Sequence, residues 1–418
     1  MSNNGAKQAI GRQNCALSCS SSILPVLAGD WVPNAKLNLR RADHPAVVDS
    51  PTSLEMRGGV CLCRQQNRGN CINMTSSSSS PSIVVLGGSN SLLNKGWTDH
   101  LKEIHPEPEQ VINLSIGAAT TAMALYRLLT CANLPKDPVI VWEYALNESN
   151  YFSHNESASV LIENLEWLLE ICVRRNYRFI PVIMYNKKEA MSFERNHYRK
   201  LLGETLASHR LISIDLQELW QERFASLDVN SLYKDNPHYS TETGLLQALA
   251  ETVLEQAALA RVPQRDPGLQ QRFMNRSLEI LRPTEGVGKK FKNRLMDCEI
   301  FSLDTEMNFK ASGRLLSCYL ISTKLEPAIF FHTKNAKRGP YSTQISPKEG
   351  GPVKQLKHLL LWSPEEPPLQ VENELRLTPL PFYDKKPVVQ HTMAWNKLDA
   401  KEPSGEGGLI GVLMEISH

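Results

Sequence analysis

Three residues, in two widely separated segments, carry the side-chain types that nucleophilic catalysis uses. Ser89 follows two glycines at the end of the apolar run 82–86, and Asp235 and His238 lie three residues apart in a segment that contains Pro237. A serine hydroxyl is nearly inert at neutral pH and needs an oriented imidazole to remove its proton. A carboxylate three residues away can hold one imidazole nitrogen so that the other faces outward. These residue types predict acyl transfer through a serine nucleophile.

A fourth polar residue, Asn147, follows the apolar run 139–142. A neutral amide can stabilise developing negative charge without titrating, as an oxyanion hole requires. The paired glycines before Ser89 permit backbone angles that a side chain forbids, which predicts a sharp turn there. Taken singly, each stretch also fits an ordinary turn or helix cap, because Gly, Asn and Asp are common at such positions. The fold must therefore bring them together.

Residues 82–260 alternate between short apolar runs and helical patterns. The clearest helix is 158–175, whose apolar side chains fall on one face and whose glutamates fall largely on the other. Such alternation predicts a parallel sheet covered on both faces by helices, with the carboxyl ends of the strands at one edge, where ligands bind. The predicted strands are 83–86, 111–114, 139–143, 179–184 and 211–214.

The rest of the chain differs in character. Residues 1–80 lack periodicity, end in a serine run and predict a disordered leader or linker. We expect residues 81–260 to form the catalytic domain. Residues 261–295 are rich in Arg, Pro, Gly and Lys, which predicts a connector. Residues 296–418 contain short apolar runs split by Pro and Gly, which predict a mostly β accessory domain, a sandwich or jelly roll.

Composition limits the possible functions. The 418 residues are 41% hydrophobic and 22% charged, with a net charge of +2, as in a soluble globular protein. This balance gives no reason to expect nucleic acid or an anionic membrane as partner, and no run approaches the ~20 apolar residues of a membrane span. Among nine cysteines, Cys131, Cys172 and Cys318 have apolar neighbours, which predicts reduced core thiols and a cytoplasmic location. We expect neither a cofactor nor a metal site, and the oligomeric state stays open.

Four blocks in order resemble the SGNH hydrolases, also called GDSL esterases and lipases. Gly87-Gly88-Ser89 stands where the family has Gly-Asp-Ser, and Gly117 matches the second block. Asn147 lies in a segment similar to Gly-x-Asn-Asp, and Asp235 and His238 match Asp-x-x-His. The resemblance implies that Ser89, Asp235 and His238 form a catalytic triad. It also implies an oxyanion hole built from the N–H groups of Ser89 and Gly117 and the Asn147 amide, in a flavodoxin-like three-layer α/β/α domain.

Two residues depart from the family pattern, and two other enzyme classes are disfavoured. Gly88 replaces the usual Asp or Asn, and Ala145 replaces a glycine. A dinucleotide-binding turn needs the third glycine of G-x-G-x-x-G, which is missing. The α/β-hydrolase elbow needs G-x-S-x-G, but Ser91 stands at its last position.

These observations predict a serine esterase that hydrolyses the ester of a small acyl group on a carbohydrate. Acetyl is the favoured acyl group. Trp362, Tyr383 and Trp395 in the predicted accessory domain offer aromatic faces for sugar rings, although such residues more often belong to a core. An O-acyltransferase of polysaccharide biosynthesis would use the same triad. A catalytically degenerate glycan-binding module is the non-enzymatic alternative.

Overall fold

The computed structural model describes residues 80–154, 156–265, 267–293, 295–323, 325–345, 354–380 and 406–418. All of them belong to one compact unit. The predicted leader lies outside the described residues except for its last position, Ser80.

The first part of the chain contains a five-stranded parallel sheet. Its strand order is β2-β1-β3-β4-β5, the flavodoxin-like order. Every residue of β1 and β3 is buried, as expected for β-branched runs covered on both faces. The strands are β1 (Ile83–Gly87), β2 (Val111–Asn113), β3 (Val139–Glu143), β4 (Arg178–Ile183) and β5 (Ile214–Asp215).

Helices cover both faces of this sheet. They are α1 (Trp97–Ile104), α2 (Thr121–Thr130), α3 (Ala145–Ser153), α4 (Ala158–Arg175), α5 (Lys187–Ser192), α6 (His197–Ser208), α7 (Leu216–Arg223), α8 (Leu245–Leu259) and α9 (Pro267–Phe273). Helices α1 and α7 pack against α8, whereas α2 and α6 pack against α4. Short 3₁₀ helices span Ser89–Leu92, Pro108–Gln110 and Val229–Leu232. The predicted helix 158–175 coincides with α4, which ends at Asn176 in the left-handed region (φ 57°).

The second part is a sandwich of two antiparallel sheets. Its strands are β6 (Arg276–Leu281), β7 (Lys289–Lys292), β8 (Asp297–Ile300), β9 (Met307–Lys310), β10 (Gly313–Ser322), β11 (Ala328–His332), β12 (Lys337–Tyr341), β13 (Gln355–Leu360), β14 (Leu369–Val371), β15 (Glu374–Leu380) and β16 (Gly408–Ser417). One sheet has the order β13-β10-β16-β6, with β14 also paired to β10, and the other has the order β12-β11-β15-β9. Strands β7 and β8 form a separate ribbon. Side chains from both sheets share one apolar core.

The predicted fold class, a parallel α/β domain followed by a mostly β region, is confirmed. Two details differ. Residues 261–295, predicted as a connector, contain α9, β6 and β7, and β6 is hydrogen-bonded along the edge of β16. The predicted strand 211–214 shrinks to β5, because only its last residue and Asp215 pair with β4. The predicted domain boundaries stay a prediction.

The two parts share a hydrophobic core. The sheet that contains β10 and β16 has one face toward the second sheet and the other toward α2 and α4. Leu316, Tyr319 and Leu413 from this sheet belong to the same cluster as the buried residues of the parallel sheet and its helices. The β-rich part (276–417) therefore packs directly on the α/β part (82–260).

Three further predictions concern single features. Cys172 and Cys318 are free and buried, whereas Cys131 is only partly buried. Among the described helices, none has both the length and the apolar character to cross a bilayer. In that same portion of the chain, no group of three or more His, Cys, Asp or Glu side chains is placed to hold a metal ion.

Candidate active site

The turn before Ser89 has no room for side chains at positions 87 and 88. A Cβ on Gly87 would lie 2.3 Å from the Ser91 Oγ and 2.9 Å from the Glu143 Oε2, so no side chain fits. Gly88 has φ −86° and ψ −155°, which any residue adopts. The expectation that these glycines supply otherwise forbidden backbone angles was therefore wrong. They are needed because other groups occupy the positions of their Cβ atoms.

A buried carboxylate ties this turn to the neighbouring strand. Glu143, the last residue of β3, is fully buried, and its Oε2 accepts the Gly88 N–H at 3.0 Å and the Ser91 hydroxyl at 2.7 Å. Burial raises the pKa of Glu143 to about 7, against the lowering effect of these two hydrogen bonds. The side chain thus fixes the segment on both sides of Ser89.

Ser89, His238 and Asp235 meet in one hydrogen-bonded chain. The His238 Nε2 lies 2.9 Å from the Ser89 Oγ, and its Nδ1 lies 2.8 Å and 2.9 Å from the two carboxylate oxygens of Asp235. Because a carboxylate only accepts, we assign the ring proton to Nδ1, which leaves Nε2 free to accept the serine proton. The His238 and Asp235 side chains are 31% and 51% exposed.

Asp235 stays ionised in this arrangement. Its partial burial is the largest single influence and would raise the pKa of the carboxyl. The hydrogen bonds from the His238 ring and from the His238 backbone N–H together outweigh that influence and hold the pKa below its ordinary value. An ionised partner is what an imidazole needs if it is to gain a second proton.

Asn90 holds the segment that carries His238 through two hydrogen bonds. The sequence analysis did not identify this residue. The Asn90 Nδ2 donates to the Pro237 carbonyl at 2.8 Å, and its Oδ1 accepts the Tyr239 N–H at 3.0 Å. The amide thus brackets His238 from both sides, and Asn90 is fully buried. No sequence signal connects partners almost 150 residues apart. The one available hint is a polar residue next to the nucleophile.

Gly117 lies directly against Ser89. A Cβ on Gly117 would lie 3.4 Å from the Ser89 Cβ and 3.9 Å from its backbone nitrogen. Within the described part of the chain, the N–H groups of Ser89 and Gly117 donate no hydrogen bond. Two neighbouring donors beside the hydroxyl are therefore available to an oxyanion.

Asn147, in the first turn of α3, packs on the turn that carries Ser89. A Cβ on Gly88 would lie 2.4 Å from the Asn147 Oδ1 and 2.9 Å from its Nδ2, and Asn147 is 6% exposed. The family's Asp or Asn at position 88 would displace this amide. The departure at Gly88 is thus matched by the position of Asn147, and the fully buried Ala145 begins the same helix.

The next residue, Glu148, links three helices beneath the site. Its Oε1 accepts the Thr121 N–H at 2.7 Å and its Oε2 accepts the Tyr198 hydroxyl at 2.6 Å. Burial raises its pKa to about 7 despite these bonds. Glu148 therefore joins α3 to the start of α2 and to α6.

Of the three aromatic residues predicted to face sugar rings, the structure describes only Trp362. Trp362 is partly buried and packs against the core that joins the two parts. Tyr383 and Trp395 lie outside the described residues.

Comparisons with known proteins match the fold. A two-domain esterase active on acetylated mannans superposes with a TM-score of 0.50 at 12% identity, over 81% of this chain and 92% of that one. A member of the lipolytic G-D-S-L family from Veillonella parvula (TM-score 0.32, 14% identity, 41% of this chain and 96% of that one) is also similar. So is the lipase/acylhydrolase from Enterococcus faecalis (TM-score 0.32, 20% identity, 44% and 98%). No family model and no curated protein matches the sequence. The predicted resemblance to SGNH hydrolases is confirmed at the level of the fold.

Proposed function

We propose that this protein is a serine esterase that removes a small acyl group, an acetyl group above all, from a carbohydrate ester. The observation that carries the proposal is the 2.9 Å approach of the His238 Nε2 to the Ser89 Oγ, with the Asp235 carboxylate on the opposite ring nitrogen. The nucleophile lies almost 150 positions along the chain from the base and its orienting acid. Their hydrogen-bonded chain is the geometry that serine hydrolysis requires.

The reaction follows from these positions. His238 accepts the proton of Ser89 as the oxygen attacks the ester carbonyl, and Asp235 stabilises the imidazolium that forms. The N–H groups of Ser89 and Gly117 and the Asn147 amide stabilise the carbonyl oxygen as it becomes negative. His238 then donates its proton to the leaving alcohol. Water, deprotonated by the same imidazole, attacks the acyl-serine. The bond to the Ser89 oxygen then breaks, the imidazolium returns its proton to that oxygen, and the carboxylic acid is released.

The exposure of the site favours water over a second alcohol as the final acceptor. The His238 side chain is 31% exposed, so solvent reaches the base that would activate it. An acyltransferase must keep water from the acyl-enzyme. The O-acyltransferase alternative therefore ranks below hydrolysis.

The carbohydrate assignment is supported by one similar protein and by the chain's own chemistry. That similar two-domain structure is an esterase active on acetylated mannans. Two of the described residues beside the turn of Ser89 are small or polar, namely Gly117 and Asn147. A compact acyl group fits these surroundings.

The decisive experiment compares wild type, Ser89→Ala and Ser231→Ala with 4-nitrophenyl acetate and with a fluorophosphonate probe. Ser231 is an exposed residue of a 3₁₀ helix and its hydroxyl donates to the Asp228 carbonyl, so its replacement serves as the matched control. We expect Ser89→Ala to lose both hydrolysis and labelling, and the control to keep both. Wild-type hydrolysis by Ser89→Ala, or a wild-type protein that the probe fails to label, would contradict the proposal.

Substrate class is tested with acetylated manno-oligosaccharides against nitrophenyl esters of short and long acyl chains. We expect rates to fall as the acyl chain lengthens beyond a few carbons, and acetate to be released from the glycan. Transfer to an added glycan in preference to water would support the acyltransferase instead.

A further inference from the structure

The segment that carries Gly117 runs from β2 to α2, and residues 114–120 are here called the oxyanion loop. Its first half is hydrogen-bonded to the end of β1. The Ser115 Oγ accepts the Gly87 N–H at 3.0 Å, and the Ile116 N–H donates to the Gly87 carbonyl at 3.0 Å. This half is thus held by the same strand that presents the nucleophile.

The middle of the loop contains an unfavourable backbone conformation. Ala118, the residue after Gly117, has φ 50°, in the left-handed region that non-glycine residues seldom adopt. Such a conformation persists only where surrounding contacts impose it. The Tyr151 hydroxyl supplies one such contact, because it donates to the Ala118 carbonyl at 3.1 Å.

The last residue of the loop is held from the β-rich part. The Thr120 Oγ1 lies 2.9 Å from the Nε2 of His358, a residue of β13, and both side chains are buried. The His358 ring also stacks on Tyr151, with ring centroids 6.0 Å apart and an interplanar angle of 25°. His358 therefore contacts both the end of the loop and the tyrosine that holds its middle.

A second contact fixes the helix that follows the loop. The Tyr319 hydroxyl of β10 donates to the Ala122 carbonyl in the first turn of α2 at 2.7 Å, and the Tyr319 ring packs on Tyr126 with centroids 4.6 Å apart. The β-rich part thus contacts the exit of the oxyanion loop at two points.

We infer that His358 is a positioning residue for the oxyanion hole, through its hydrogen bond to Thr120. This inference rests on the proposed function and adds a role for the β-rich part beyond contact with substrate. Without the His358 contact, the strained loop relaxes and the Gly117 N–H moves away from the developing oxyanion. Transition-state stabilisation by preorganised donors is lost when they shift by about 1 Å, which lowers turnover by up to roughly a hundredfold.

The test removes the two partners of this hydrogen bond singly and together. We expect His358→Ala and Thr120→Val each to lower kcat about tenfold to a hundredfold with KM nearly unchanged. The double variant should be no worse than the more affected single variant, because both remove the same interaction. His358→Gln keeps a side-chain hydrogen-bonding group and should recover most of the lost kcat. Fluorophosphonate labelling, which forms a similar oxyanion, should slow in the same order.

Glu163→Gln provides the matched control at the same interface. Glu163 of α4 pairs with Arg314 at 2.9 Å and with Arg272 at 2.8 Å, away from the oxyanion loop. We expect this variant to lower the melting temperature but to keep kcat.

Two results would overturn the inference: folded His358→Ala and Thr120→Val proteins with wild-type kcat, or an equal loss of kcat in Glu163→Gln. Failure of the proposed function would give a different result from failure of this inference. In that case Ser89→Ala would keep its activity, independently of the His358 variants.

Discussion

At the scale of single residues, the turn that carries Ser89 shows how close packing selects an amino acid. The Asn147 amide occupies the place where a Cβ of Gly88 would stand. Asn147, the proposed oxyanion donor, can therefore approach this turn only because residue 88 is a glycine.

Replacement of Gly88 tests this relation. We expect Gly88→Ala to lower kcat toward the ~10²–10³-fold loss that follows removal of one oxyanion donor, because the methyl group would lie 2.4 Å from the Asn147 Oδ1 and displace the amide. Gly203→Ala in α6 is the control, since a Cβ there meets nothing within 4 Å. Steady-state kinetics with 4-nitrophenyl acetate provide the measurement, and a fully active Gly88→Ala would show that the amide is not needed at that position.

Asn90 gives a second prediction at this scale. Asn90→Ala removes both hydrogen bonds that bracket His238, so the imidazole should spend less time within reach of Ser89. We expect kcat to fall by about tenfold or more with KM little changed. Asn230→Ala, which removes an exposed hydrogen bond to Asp228, should keep both constants. Equal kcat in the two variants would rule out a positioning role for Asn90.

The two buried carboxyls predict a pH dependence of stability. Burial raises the pKa of Glu143 and of Glu148 to about 7 in the folded protein, whereas in the unfolded chain both lie near 4.3. Between these values the folded state binds more protons, so the free energy of unfolding should fall as pH rises from about 4.5 to 7. The slope is at most about 1.4 kcal/mol per pH unit for each carboxyl.

Urea unfolding of wild type, Glu143→Gln and Glu148→Gln between pH 4.5 and 8 measures this effect. Each substitution removes one titrating group and should flatten the decline relative to wild type. Parallel curves for all three proteins would mean that neither carboxyl titrates in this range.

At the scale of secondary-structure elements, a buried glutamate connects α4 to the β-rich part. Glu415 of β16 is 1% exposed and accepts hydrogen bonds from Trp167 of α4, Arg276 of β6 and Arg314 of β10. Three elements therefore depend on one carboxylate, and the loss of one partner from a buried ionic group is costly.

We predict that Glu415→Gln lowers the free energy of unfolding by about 3 kcal/mol, since an amide N–H would face donors that need an acceptor. Glu299→Gln is the control, because Glu299 and its partner Arg282 are each 53% exposed and such pairs contribute about 0–1 kcal/mol. Chemical denaturation measures the free energy of unfolding of both variants. Similar losses in both variants would show that Glu415 adds no more than a surface charge.

The same scale shows what could be predicted from sequence. Strands β1 and β3 and helix α4 were predicted because their apolar periodicity is strong and local. The predicted strand 211–214 was too long, since Ile212 is 86% exposed at the sheet edge, where no neighbouring strand pairs with it. The proximity of Ser89 and His238 could be predicted from the order of the motifs. The hydrogen bonds from Asn90 to residues 237 and 239, and the contact of His358 with Thr120, could not be predicted. They depend on tertiary placement, which leaves no local pattern.

At the scale of the whole molecule, the two parts share one hydrophobic core. Tyr319 and Leu413 of the β-rich part lie in the cluster that includes the helices of the α/β part. We predict a single unfolding transition for both parts, seen when near-ultraviolet circular dichroism and amide exchange in β10 and α4 give the same midpoint.

A fragment ending at residue 265 tests this cooperativity directly. It would expose the apolar surfaces of α2 and α4 that the β-rich part covers, so we expect poor solubility and little esterase activity. A soluble fragment with wild-type kcat would show that the α/β part is independent. The matched control is the chain beginning at residue 80, which keeps every described element.

Strand β16 carries a consequence for how the molecule is made. It lies between β10 and β6, although it is synthesised about a hundred residues after β10. A nascent chain that has emerged only as far as β15 lacks the strand that pairs with both β10 and β6, so the sheet that packs on α2 is incomplete until residues 408–417 are translated. We therefore expect this sheet to be completed late in synthesis, and the growing polypeptide to need protection from aggregation until then.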